Sequence, residues 1–98
     1  MTSLWERIRA LDGFTLPTVS GRAAFDITSV DDNSVRVVPR SSGKPRPIRR
    51  EDFERAEALG LVRADVTPIQ LRRAGISEFN PAYVAAIIRA AVGQVTPA

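Results

Sequence analysis

Ala24-Phe25-Asp26-Ile27-Thr28-Ser29-Val30, Asp31-Asp32-Asn33 and Ser34-Val35-Arg36-Val37-Val38-Pro39-Arg40 form the stretch that settles the fold class. In the first run Phe25 and Ile27 alternate with Asp26 and Thr28, and in the second Val35 and Val37 alternate with Arg36. Successive side chains of a strand point to opposite faces, so each run reads as a half-buried strand. Val38 shares the Arg36 face and is a local exception to the alternation. Between the runs, Asp31-Asp32-Asn33-Ser34 supplies short polar side chains that bond their own backbone in tight turns. A hairpin is predicted.

Working outward, Pro39 to Pro45 reads as a loop and Arg46 to Arg49 as a short third strand. Pro45 and Pro47 remove ladder donors and confine that strand to an edge. On the other side, Thr15 to Arg22 offers one more short strand with Gly21 as a bend. The flanks are helical. Ser3-Leu4-Trp5-Glu6 is a capping box ahead of a stripe of Leu4, Trp5, Ile8 and Leu11. Gly13 supplies its left-handed stop, and Phe14 is placed to fold back on the last turn. After Arg50, Phe53, Ala56 and Leu59 give a narrow apolar stripe closed by Gly60. Thr67-Pro68-Ile69-Gln70 combines an N-cap, a proline in the first turn and a capping Gln, with Val66 and Leu71 as a hydrophobic staple. Asn80-Pro81 repeats the device with Phe79 and Val84, and Tyr83 to Val92 carries a broad apolar face.

The fold class expected is α+β: an N-terminal helix, a small antiparallel sheet of about three strands, then three helices. Residues 1–98 suit a single globular domain, with 94–98 frayed at its end. At 44% hydrophobic and 26% charged, the composition lies in the globular range. A chain of this size buries roughly 65% of its unfolded surface, enough for one core without covalent staples.

The chain has no Cys and no His. Disulfides, thiolate nucleophiles and zinc sites are thereby excluded, along with the commonest general base. The remaining carboxylates have structural explanations: Asp31 and Asp32 in a turn, Glu51, Asp52, Glu54 and Glu57 on a solvated helix start. No enzyme activity, cofactor or metal is expected, and no small-molecule substrate is evident. Ser42-Gly43-Lys44-Pro45 resembles the end of a phosphate-binding P-loop, but Val38 and Pro45 stand where a glycine and a Ser or Thr are needed. Ser41-Ser42-Gly43-Lys44 fits Ser-x-x-Lys only outside the helix that motif requires. No apolar run approaches the ~18 residues of a membrane span, and the start lacks a signal-peptide layout. A cytoplasmic location is expected.

Charge carries the functional lead. Between Arg36 and Arg50 lie six basic residues and no acidic one, within a chain of net charge +3. The other eight basic residues face all eleven acidic ones, leaving the rest of the molecule at −3. Such asymmetry points to an anionic partner. Arg36, Arg40, Ser42, Lys44, Arg46, Arg49 and Arg50 are therefore the candidate nucleic-acid contacts, with DNA favoured over RNA. A two-stranded ribbon fits the major groove, and arginine binds guanine edges or phosphates. Against this stands the ordinary solvated face of a half-buried sheet, neutralised in part by Glu51, Asp52 and Glu54. A helix-turn-helix reading of the C-terminus is weaker, because Pro81-Ala82-Tyr83-Val84 offers bases almost no donors. The rival function is a protein-interaction or oligomer-forming subunit, a homodimer included, docking through Val84, Ile88, Ala91 and Val92 on the last helix.

Overall fold

The structure is a computed structural model that describes residues 3–77 and 80–93. The expected staple partner Phe79 and the tail 94–98 lie outside the described residues. Eight elements follow in order: α1 (Leu4–Arg9), β1 (Thr15–Pro17), β2 (Ala24–Val30), β3 (Ser34–Pro39), β4 (Arg46–Arg49), α2 (Arg50–Ala58), α3 (Pro68–Arg73) and α4 (Pro81–Gly93). The α+β class holds, but the sheet has four strands rather than about three, in the order β1-β2-β3-β4 and antiparallel throughout. The fourth is β1, the further short strand offered within Thr15 to Arg22, and it is only three residues long. Such a length shows almost no alternation in sequence. Pairing fixes it instead, with Leu16 opposite Phe25 and the Thr18 amide closing the turn on the Ala23 carbonyl at 2.9 Å.

Local chemistry starts and stops the helices much as the residues suggest. The Glu6 amide donates to Ser3 Oγ at 3.2 Å, and Gly13 leaves α1 at φ +88°. Thr67 and Gln70 complete both halves of a capping box on α3. Two expectations fail at helix ends. Phe14 is more than half exposed, because the Gly13 and Phe14 backbones bond to Ile27 and extend the β1–β2 ladder instead of folding over α1. Leu59 is also more than half exposed, since it caps α2 outside helical geometry.

A bulge sets the inner face of the sheet. Ile27 pairs with Val37 but Ser29 pairs with Arg36, so Thr28 is the extra residue in β2. A bulge shifts the alternation by one position, which brings Val30 opposite Val35 on the core side. Phe25, Ile27, Val35, Val37 and Ile48 are buried on that face. Each large apolar side chain so buried contributes about 1.5–3 kcal/mol. Against them lies α4, which packs on α1, α2, α3 and β1. Its five consecutive residues Val84, Ala85, Ala86, Ile87 and Ile88 are all buried, the mark of a helix covered on several sides.

Trp5 ties the hairpin to this core. Its ring lies 5.8 Å from that of Phe53, and its indole N–H donates to the Asp31 carbonyl at 3.0 Å. Arg9 pairs with Asp32 on the same turn. The β2–β3 tip is thus fastened to α1, and both of its strands are internal to the sheet.

Candidate nucleic-acid interface

Strand parity assigns each basic side chain to a face. Because Val35, Val37 and Ile48 point inward, Arg36 and Arg49 point outward, where they are exposed. Arg36 sits opposite Pro47 and Arg49 opposite Ser34, which makes the two arginines diagonal neighbours across β3 and β4. Arg40 joins them. Its Nη2 reaches both Thr15 Oγ1 and Asp26 Oδ1 at 3.2 Å, and these two residues are themselves paired across β1 and β2. Lys44 lies in the following loop, shaped by Gly43 at φ +67°, with its amide donating to Ser42 Oγ at 3.3 Å. Ser42 therefore braces the loop and remains exposed.

The candidate contacts do not all share one surface, because Arg46 and Arg50 leave the outer face. Arg46 has the parity of Ile48 and Val37, so it leaves the sheet on the helix side. It donates to Asn80 Oδ1 at 3.3 Å and lies 5.9 Å from the Tyr83 ring centroid. Arg50 opens α2, donates to the Asp32 carbonyl at 3.1 Å and covers the Trp5 ring at 5.1 Å. It clamps the hairpin turn. The picture of a free ribbon entering a groove is corrected as well, since β2 and β3 are flanked by β1 and β4 and their tip is tied down. What stands open is the outer face of the sheet.

Among the described residues, Arg36, Lys44 and Arg49 make no ion pair, and Glu51, Asp52 and Glu54 neutralise none of the basic run by direct pairing. Arg40 alone of the run is paired, with Asp26. The Asp26 carboxyl is held below its ordinary value of 3.8, first by the Thr15 hydroxyl and then by Arg40. The Asp31 carboxyl is lowered too, by the Asn33 and Ser34 amides it accepts at 2.7 and 2.8 Å. Burial raises Asp52, aided by neighbouring Glu51, while Arg49 and Arg55 pull the other way.

A pH dependence of stability follows from the two lowered carboxyls. A folded pKa below the unfolded one means that the unfolded chain binds more protons near pH 4, so the stabilisation is fully present above about 3.8 and lost as pH falls further. Thermal unfolding followed by Trp5 fluorescence from about pH 6 to about pH 2 is expected to show this loss. Replacing both Asp26 and Asp31 by Asn flattens it, and an unchanged pH profile in the double variant contradicts the assignment.

The proposed interface on the last helix is turned inward. Val84, Ile88 and Ala91 are fully buried in the chain's own core and Val92 is half-buried, because α4 is the element on which the other layers close. Among the described residues no three acidic side chains gather as a metal site, and no helix is long and apolar enough to cross a membrane. No protein-family model matches this chain, and no curated protein or solved structure matches it either. Its class is defined by its own geometry, as a four-stranded antiparallel meander with helices on one face and arginines on the other.

Proposed function

We propose that this chain is a non-catalytic nucleic-acid-binding module that lays the open face of its sheet on the sugar-phosphate backbone, duplex DNA in preference to RNA. The reading rests on one observation: three arginines of the acid-free run, Arg36, Arg40 and Arg49, project from the sheet face that no helix covers. Arg36 and Arg49 are diagonal neighbours on β3 and β4, and Arg40 follows the end of β3 with its guanidinium over Thr15 and Asp26, so the three cations can meet phosphates from one face. Lys44 adds an exposed cation in the loop between β3 and β4. Of the described aromatics, Trp5, Phe25, Phe53 and Tyr83 are engaged with each other or with the core on the helix side and only Phe14, ahead of β1, is more than half exposed, which leaves little for stacking on unpaired bases. A chain free of His and Cys suits binding rather than catalysis and fits a reducing cytoplasm.

Fluorescence anisotropy of a labelled duplex tests this reading. Three or four phosphate contacts predict that affinity falls roughly forty-fold to 150-fold between about 50 mM and about 200 mM salt, with little dependence on sequence. Absence of binding to DNA and RNA at the lower salt refutes it.

A further inference from the structure

Beside the base of α4 an open pocket of about 470 Å³ lies between the β1–β2 turn, β4 and the starts of α3 and α4. Its volume is in the range of small-molecule sites. Thr18, Ser20, Asn80 and Tyr83 line it together with Arg46, which brings a full positive charge. Among the described residues no carboxylate lines it. Among the described residues Arg46 has neutral partners alone, the Asn80 oxygen through Nη1 and the face of Tyr83, whose own ring is braced edge-on against Phe25 at 5.0 Å. A guanidinium carries five N–H donors, so this exposed one is oriented by two contacts while most of its donors remain open. The rest of the wall is apolar, including Val19, Ala23 and Pro68.

We infer that this pocket binds a small anion, a phosphate or carboxylate joined to a compact apolar body, with Arg46 as the anion anchor. A preorganised fork of donors suits both oxyanions, and the apolar wall selects against the bare ion. The site is independent of the outer sheet face, because Arg46 leaves the sheet on the opposite side from Arg36 and Arg49.

The test is a titration of the full chain with phenyl phosphate, benzoate, inorganic phosphate and benzyl alcohol, followed through the backbone amide resonances of Thr18, Ser20 and Tyr83. Phenyl phosphate or benzoate saturates these shifts below about 10 mM, and whichever binds tighter identifies the preferred oxyanion. Inorganic phosphate and neutral benzyl alcohol bind roughly tenfold more weakly or worse. Arg46→Ala and the better-packed Arg46→Gln both lose about tenfold or more, whereas Arg36→Ala/Arg49→Ala binds like the parent. Unmoved resonances with both aryl anions, equal binding of benzyl alcohol, or undiminished binding in both Arg46 variants overturns the proposal.

Discussion

Phe25→Ala is expected to strip the chain of a large part of its folding stability. Phe25 is fully buried at the centre of the sheet, with Leu16 and Pro39 as its strand partners and the Tyr83 ring packed edge-on at 5.0 Å. Truncating such a ring costs about 3–5 kcal/mol in lost transfer energy and residual cavity. Domains of this size hold only about 5–15 kcal/mol in total. Urea unfolding read by the fluorescence of Trp5, which sits across the core against Phe53, measures the shift. A loss below about 1 kcal/mol contradicts the placement of this ring. Phe25→Leu, which keeps most of the volume, costs less.

The second large effect falls on binding and leaves folding intact. Arg36→Ala/Arg49→Ala removes two exposed, unpaired cations, so stability stays within about 0.5 kcal/mol of the parent. Duplex affinity falls roughly tenfold to hundredfold at low salt, and the salt slope drops by about two, one for each phosphate contact removed. Arg50→Ala acts in the opposite sense: it releases the hairpin turn from Trp5 and Asp32, lowering stability more than affinity. Asp26→Asn tightens binding, since it takes a negative charge off the face and frees Arg40. A double variant that binds as the parent does, measured by anisotropy at the same salt, removes the outer face from the interface.

Part of this division was already legible in strand parity. Arg46 lies two residues before the apolar Ile48 and Arg49 one residue after it, so the two arginines belong to opposite faces before any coordinates are seen. Counting six cations in a run of sequence concealed that alternation. The partners were not legible. Asn80 and Tyr83 are more than thirty residues from Arg46, and only the packing of α4 against the sheet brings them together. The same packing decides the fate of the last helix. Its apolar breadth is plain in the residues, but breadth alone does not distinguish a docking seam from a helix covered by other elements of its own chain.

The amino-acid order alone determined the hairpin, the edge position of β4, the capped starts of α1 and α3, and the concentration of positive charge, because each depends on neighbours within a few residues. Tertiary structure decided that the strand offered from Thr15 is three residues long and pairs as a fourth, that the hairpin is a sheet interior and not a free ribbon, and that α4 is the centre of the core. It also split the basic run between two sides of the molecule. Local sequence encodes period and caps, whereas the surface each period faces depends on distant elements, whose packing against one another minimises exposed apolar area.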